Sequence, residues 1–175
     1  GSGPRGRSRK GGRLVVDGGH GATVVSTPEV LRSLGARVLV LNAAPDGHNI
    51  NRGCGSTHPE GLLRAVKRWK AHAGITHDGD GDRVLMADEK GTLVDGDRML
   101  AVCALGLAAH GKLPKRTVVA TVMSNLGFEK ALTERGIKVL RSGVGDRYVL
   151  ELMKAQGATL GGEQSGHLIF KKLLP

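Results

Sequence analysis

The run DGDGDR at residues 78–83 places three carboxylates at every second position, with glycine between them. Because glycine adopts backbone angles that other residues avoid, such a loop can coil tightly and direct Asp78, Asp80 and Asp82 toward one point. A ligand set made only of oxygen suits Mg²⁺, which keeps part of its coordination shell for water or a phosphate. The run therefore predicts a Mg²⁺ site, with the guanidinium of Arg83 beside it as a phosphate partner.

Two other structures could carry the same residues. A solvated turn is disfavoured, because like charges packed this closely repel one another unless a cation joins them. The aspartates also match positions one, three and five of a calcium EF-hand loop, and Glu89 matches position twelve. Position six of that loop requires glycine, however, and here it is Arg83. The apolar runs on either side predict short strands, where an EF-hand has helices, so the Mg²⁺ site is favoured.

A second polar cluster, GGEQSGH at 161–167, follows a short β-type segment. Its small flanking residues let a ligand approach the backbone, and Glu163, Ser165 and His167 supply acceptors and donors for sugar hydroxyls. A polar hairpin turn explains the same residues equally well. The residues alone leave both interpretations open.

Two further polar segments precede predicted helices. In GVGDR at 143–147, Asp146 fits the N-cap of the next helix, although the helix amides and Arg147 could also receive a phosphate; the residues favour the cap. Ser56 and His58 look like a nucleophile pair. The surrounding sequence STHPE fits a capping box better, with proline in the first turn of the following helix.

Short apolar runs alternate with amphipathic stretches from Leu14 onward. One stretch carries Leu62, Val66 and Trp69 on a single face with basic residues elsewhere, which predicts an amphipathic helix. The alternation predicts an α/β fold with two parallel or mixed sheets and flanking helices, and in such folds ligands gather at the carboxyl ends of strands. Strands are predicted at 14–17, 38–41, 73–77, 84–87, 117–121 and 137–140, and helices end near Gly35, His110, Gly136 and Gly157.

The length of 175 residues leaves room for two small domains. Residues 1–12 are rich in Gly, Ser and Arg and are predicted to be a disordered basic tail. The short, polar, proline-bearing stretch 111–115 predicts a domain boundary. We therefore expect a metal-loop α/β domain at 13–111 and a second α/β domain at 112–175.

Composition and charge limit the classes of partner that the chain is expected to bind. Net charge is +10, but the tail supplies much of the excess and aromatic residues are only 2%, so we do not expect a nucleic-acid partner. Apolar runs are too short to span a bilayer, and the start has no signal-peptide pattern, so no membrane partner is expected. The two cysteines form no C-x-x-C arrangement, which favours a reduced, cytoplasmic compartment.

Five motifs occur together in this chain: DGDGDR at 78–83, VDGDRML at 94–100, MSNLG at 123–127, VGDRYV at 144–149 and GGEQSGH at 161–167. In this order and spacing, from about Arg13 onward, the chain resembles the α-D-phosphohexomutases, and within that superfamily the bacterial phosphoglucosamine mutases most. The resemblance implies conversion of glucosamine 6-phosphate to glucosamine 1-phosphate by way of an enzyme phosphoserine.

The resemblance also implies roles for the residues in these motifs. The three aspartates would bind Mg²⁺ against the phosphoserine, with Arg83 beside it, and a hexosamine phosphate would be the substrate. Glu163 and Ser165 would hold sugar hydroxyls, and His167 would support their loop. Asp146 and Arg147 are weaker assignments to substrate binding.

The chain departs from the family pattern in what it lacks. The nucleophile loop, of the form T-A-S-H-N-P, and the C-terminal phosphate-binding loop of the family are missing. The resemblance thus implies the second domain and an incomplete third domain, and we expect this chain to be inactive alone. The alternatives are a phosphomannomutase or phosphoglucomutase fragment, or a Mg²⁺ and phosphosugar binding module without turnover. The oligomeric state is left open.

Overall fold

The computed structural model describes residues 11–171, so nearly all of the predicted basic tail lies outside the described residues. Strands and helices alternate through this range, as the apolar periodicity predicts. In chain order the elements are β1 Arg13–Asp17, α1 Ser26–Ser33, β2 Arg37–Leu41, α2 Glu60–Trp69, β3 Ala73–His77, β4 Val84–Ala87, β5 Leu93–Val94, α3 Gly96–Ala109, a 3-10 turn at Pro114–Arg116, β6 Thr117–Thr121, α4 Leu126–Thr133, β7 Lys138–Ser142, α5 Asp146–Gln156, β8 Leu160–Gly162 and β9 Leu168–Phe170.

The first sheet is built around β1, and its strand order is β2-β1-β3-β4-β5. β1 pairs in parallel with both β2 and β3, so that Val15 lies opposite Leu39 on one side and Gly74 on the other. Parallel neighbours on both sides explain why Val15 and Val16 are fully buried, since such strands are covered on both faces. The carboxyl ends of β1 and β3 therefore lie side by side.

Helix α2 packs its apolar face on this sheet. Leu62 and Val66 are fully buried with Val15, and Trp69 packs against the same cluster, while the basic residues of the helix are exposed. The predicted amphipathic helix is thus confirmed. The predicted capping box is wrong, because Pro59 occupies the N-cap position and no side chain caps the helix.

The second sheet has β6 at its centre, with the strand order β7-β6-β8-β9. β6 pairs in parallel with β7 and β8, and β9 pairs antiparallel with β8. Because side chains alternate along a strand, Val118 and Ala120 pack in a cluster with Leu132 of α4, whereas Val119 packs in another with Met153 of α5. The predicted α/β fold with two sheets and flanking helices is confirmed.

The chain divides into two compact units within β5 rather than at the predicted stretch 111–115. The reason is α3, which is apolar on nearly all sides: its Leu100 and Ala104 are fully buried in the cluster of the second sheet. The polar stretch 111–115 is only the connection from α3 to β6. Among the described residues, unit 1 comprises the part up to Asp82 together with Met86–Leu93, and unit 2 comprises Arg83–Leu85 together with the part from Val94 onward.

The apolar helices are all short. No helix in the part of the chain that the structure describes is long and apolar enough to cross a bilayer. The longest, α3, has 14 residues, whereas a spanning helix needs about 20.

Gly161 of β8 provides a test of packing in unit 2. A Cβ atom there would lie 2.5 Å from Met153 Sδ and 2.8 Å from Val149 Cγ1, so Gly161→Ala should lower the free energy of unfolding by about 1–2 kcal/mol. Gly106→Ala is the matched control, since a Cβ atom at this exposed position of α3 meets nothing within 4 Å. It should stabilise the helix by about 0.5–1 kcal/mol. Hydrogen exchange of the β6 amides measures both changes within unit 2, and equal changes in exchange rate would contradict the packing described.

Candidate functional site

The loop at residues 78–83 connects β3 to β4, which end at His77 and begin at Val84. It therefore has a strand on each side, as predicted, and the helices that an EF-hand requires are not there. One carboxylate oxygen from each of Asp78, Asp80 and Asp82 lies within 4.8 Å of the others. The loop follows the carboxyl end of a strand in a parallel part of the sheet, where ligand sites of α/β folds lie.

The geometry of the three carboxylates fits a small divalent cation. Mg²⁺ ligands lie about 2.1 Å from the ion, so two opposite oxygens span about 4.2 Å, which is close to the 4.8 Å within which this group lies. Asp78 is fully buried, whereas Asp80 and Asp82 are exposed. One carboxylate is thus fixed by the fold, and the other two face solvent from which an ion could enter.

Asp17 is a buried carboxylate next to this loop that the sequence reasoning missed. It ends β1 and is fully buried. Its Oδ1 accepts a hydrogen bond from Gly19 N at 2.9 Å and its Oδ2 accepts one from Gly55 N at 3.3 Å. The carboxylate therefore joins the turn after β1 to the loop before α2. The sequence feature that could have identified Asp17 is its position as an acidic residue at the end of the apolar run LVVD.

Arg83 follows Asp82 directly and is partly buried. Its backbone belongs with unit 2, whereas the three aspartates belong with unit 1. The role of its guanidinium as a phosphate partner stays a prediction.

The polar loop at residues 163–167 closes a hairpin between β8 and β9. Glu163 N donates to His167 O at 2.9 Å, and Gly166 N donates to Glu163 O at 3.1 Å. The geometry is therefore a tight polar hairpin, which the sequence left open as an alternative to a sugar site. Because the hairpin begins at the carboxyl end of β8, it also lies where ligand sites occur in parallel sheets.

The structure brings the three predicted side chains of this hairpin together. The side chain of Glu163 is only 10% exposed; its Oε1 accepts a hydrogen bond from Gly145 N at 2.8 Å, and its Oε2 lies 3.2 Å from His167 Nδ1. Ser165 Oγ lies 3.3 Å from the same nitrogen. Each oxygen of Glu163 thus has a protein partner and can accept a further hydrogen bond.

The start of α5 differs from the prediction. Gly145, at φ 123°, is the N-cap residue, and Asp146 is the first residue of the helix, with its Oδ1 accepting from Arg147 N at 2.7 Å. The N-cap interpretation of Asp146 is therefore wrong, because the chain enters the helix through a backbone angle that glycine tolerates. Arg147 pairs with Glu151 at 2.9 Å, and its side chain is 83% exposed. Such an exposed pair is weak, so Arg147 can turn toward an anion.

Asp97 in the first turn of α3 is the second buried carboxylate that the sequence reasoning missed. It is 1% exposed, and its Oδ2 accepts hydrogen bonds from Asn125 N at 2.8 Å and Asn125 Nδ2 at 2.9 Å. Asn125 in turn caps α4 by accepting from Phe128 N at 2.8 Å. The neighbouring Gly96 donates its N–H to Gln164 O at 3.0 Å. The start of α3 therefore holds both the loop after β6 and the polar hairpin.

Three further groups that could act as nucleophiles are Ser56 and Cys54, which are buried, and Cys103, which is partly buried. Ser56 Oγ makes no hydrogen bond to any described residue, which agrees with the rejection of a pair with His58. Cys54 and Cys103 are free thiols. Burial raises the pKa of Cys54, with a further contribution from the charge of Asp17, and burial raises the pKa of Cys103. Both thiols are thus less reactive than an exposed one.

Two family sequence models match the chain in succession. Phosphoglucomutase/phosphomannomutase, alpha/beta/alpha domain II matches residues 5–91. The corresponding domain III matches residues 95–174. The break between the two matches falls at the division between the two units of the structure.

Individual relatives agree with these matches. Phosphoglucosamine mutase of Symbiobacterium thermophilum is 60% identical over 161 residues, which are 92% of this chain and 36% of that protein. A phosphoglucomutase/phosphomannomutase family protein of Burkholderia thailandensis, at 28% identity, has a crystal structure with a TM-score of 0.82 over 93% of this chain and 36% of that one. The fold is also shared by N-acetylphosphoglucosamine mutase of Aspergillus fumigatus, solved in complex with GlcNAc-6P and magnesium, with a TM-score of 0.65 at 22% identity over 92% of this chain and 36% of that one. The chain thus spans about a third of the length of the relatives that it matches.

Proposed function

Because the chain belongs to the phosphoglucomutase/phosphomannomutase family, with matches to its domains II and III, we propose that it forms the metal-binding and sugar-binding part of a phosphoglucosamine mutase. The reaction is the conversion of glucosamine 6-phosphate to glucosamine 1-phosphate. The observation that carries the proposal is the group of three carboxylates gathered within 4.8 Å after β3. The identity of 60% to a phosphoglucosamine mutase supports a hexosamine phosphate rather than another sugar phosphate.

In this proposal Asp78, Asp80 and Asp82 hold Mg²⁺. When bound, the ion supplies positive charge that stabilises a phosphoryl group in transfer. The buried Asp78 would supply one carboxylate ligand whose position the fold fixes, and the exposed Asp80 and Asp82 would supply the other two. Arg83 is the proposed catalytic residue, since a guanidinium donates paired hydrogen bonds to phosphoryl oxygens and keeps its charge throughout the reaction.

In unit 2 the polar hairpin is the proposed binding site for the sugar. Glu163 accepts hydrogen bonds from sugar hydroxyls through the lone pairs that Gly145 and His167 leave free. The exposed Ser165 donates or accepts through its hydroxyl, and His167, which lies beside Glu163 Oε2, holds that carboxylate in place. The proposed roles of Asp146 and Arg147 are in binding the substrate phosphate, for which the exposed guanidinium of Arg147 is available.

A chimeric enzyme tests this function directly. The 161 matched residues of this chain replace their counterparts in phosphoglucosamine mutase of Symbiobacterium thermophilum, and the conversion of glucosamine 6-phosphate is measured beside that of the parent enzyme. We expect turnover with glucosamine 6-phosphate in preference to mannose 6-phosphate and glucose 6-phosphate. A folded chimera that is inactive, or one that prefers either of the other sugars, would contradict the proposal.

A further inference from the structure

The backbone of Gly79, the residue between the first two aspartates of the metal loop, is held by a turn that is distant in sequence. Ala22 N donates a hydrogen bond to Gly79 O at 2.8 Å. A Cβ atom on Gly21 would overlap the same carbonyl oxygen and would lie 2.6 Å from Gly79 Cα and 2.7 Å from Gly79 C. These are backbone atoms, which cannot rotate aside as a flexible side chain can. Only glycine therefore fits at position 21 while the metal loop keeps its conformation.

Gly79 also lies close to a second segment that is distant in sequence. A Cβ atom on Gly79 would lie 2.5 Å from Ile50 Cγ1 and 2.9 Å from Asn51 Nδ2. The metal loop at this point thus lies close to both the turn containing Gly21 and the segment containing Ile50 and Asn51.

The two supports are tied to each other. Asn51 N donates to Gly19 O at 2.9 Å, and the buried carboxylate of Asp17 accepts from both Gly19 N and Gly55 N. Their separation is therefore set by hydrogen bonds that are independent of the metal loop. A displacement of one support is opposed by the other.

The position of Gly79 decides how the ligands point. Its two peptide planes lead to Asp78 on one side and Asp80 on the other, so a shift of its carbonyl turns both residues. Mutation of a group that orients metal ligands without touching the ion typically weakens metal affinity by about 10- to 100-fold. We propose that Gly21 is a positioning residue for the metal loop, acting through its contact with the Gly79 carbonyl. This inference rests on the proposed function, in which the three aspartates bind Mg²⁺.

Gly21→Ala is the direct test. Mg²⁺ affinity is measured by calorimetry on the folded 175-residue chain, and we expect the dissociation constant to rise by about 10- to 100-fold. A loss of stability alone would lower the melting temperature of the metal-free chain and leave the affinity of the folded molecules unchanged. Affinity therefore separates positioning of the ligands from a merely structural role.

Two matched glycine variants serve as controls. Gly161→Ala introduces an overlap of similar size, with Met153 Sδ at 2.5 Å, but in unit 2, whereas the three aspartates belong to unit 1. Gly61→Ala lies in α2, where a Cβ atom meets nothing within 4 Å. We expect both variants to keep the Mg²⁺ affinity of the unsubstituted chain within about threefold.

A measurement on the unsubstituted chain covers the case in which Gly21→Ala does not fold. Since the Ala22 N–H bonds to Gly79 O, titration with Mg²⁺ should shift the Ala22 amide resonance in nuclear magnetic resonance spectra and leave that of Gly61 in place. Unchanged affinity in folded Gly21→Ala, or an unmoved Ala22 resonance, would overturn the inference alone. A lack of Mg²⁺ binding by the unsubstituted chain would overturn the proposed function and this inference with it.

Discussion

Replacing Asp80 by alanine is expected to abolish Mg²⁺ binding by the loop at residues 78–83. The ion gives up its water reluctantly, so the loss of one of three protein carboxylates leaves too few partners to hold it. In the chimeric enzyme the same change should lower kcat by about 10³-fold, which is the scale on which lost charge stabilisation acts in phosphoryl transfer. Calorimetry on the 175-residue chain and steady-state kinetics on the chimera measure the two effects.

Glu89→Ala is the matched control for Asp80→Ala. Glu89 occupies the position that would supply the twelfth ligand of an EF-hand, but it is exposed beyond β4 and is not one of the grouped carboxylates. We expect its removal to leave Mg²⁺ affinity unchanged. Retained Mg²⁺ affinity in Asp80→Ala would contradict the metal loop. A strong preference for Ca²⁺ that is lost in Glu89→Ala would support a calcium site instead.

The metal loop could be predicted because its signal is local. Three carboxylates and their glycines lie within six consecutive residues, and the flanking strands show in the alternation of apolar side chains. The same holds for most elements, whose bounds agree with the predicted runs to within a few residues. In each of these cases the residues that decide the structure are neighbours in sequence.

The division between the units could not be predicted in this way. A polar, proline-bearing stretch such as 111–115 is typical of both a domain linker and the end of a helix. Whether the stretch is a linker or a helix end depends on which sheet α3 packs against. Leu100 and Ala104 of α3 lie in the core of unit 2, so the stretch is a helix end within that unit. The contacts that decide the boundary are thus distant in sequence.

The residues that support the two candidate sites also make their contacts with residues that are distant in sequence. Gly21 touches Gly79 because β1 and β3 are neighbours in the first sheet, and Asp97 holds Asn125 through a contact between the first turn of α3 and the loop after β6. Neither strand order nor such a contact can be predicted from the spacing of residues along the chain. A buried acid is the partial signal, since burying a carboxylate is costly unless it is hydrogen-bonded.

Asp97→Ala is expected to destabilise unit 2 more than any other single change described above. It removes two hydrogen bonds to a charged acceptor, each worth about 1.5–3 kcal/mol, and weakens the hold on Asn125, the cap of α4. Removing Asp97 Oδ1, which is buried without a hydrogen bond to any described residue, recovers part of that loss. We therefore expect a net decrease of about 3 kcal/mol in the free energy of unfolding of unit 2.

Hydrogen exchange measures this loss for unit 2 separately, because the chain has two units and a single unfolding transition cannot be assumed. Amides of the buried strand β6 should exchange about 100-fold faster in Asp97→Ala. The matched control is Asp95→Ala, which removes the N-cap bond to Arg98 N at the start of the same helix and should cost about 1 kcal/mol. Equal exchange rates in the two variants would show that the Asp97 carboxylate stabilises unit 2 no more than a single helix cap does. That result would contradict the inference that Asp97 holds the loop after β6 to α3.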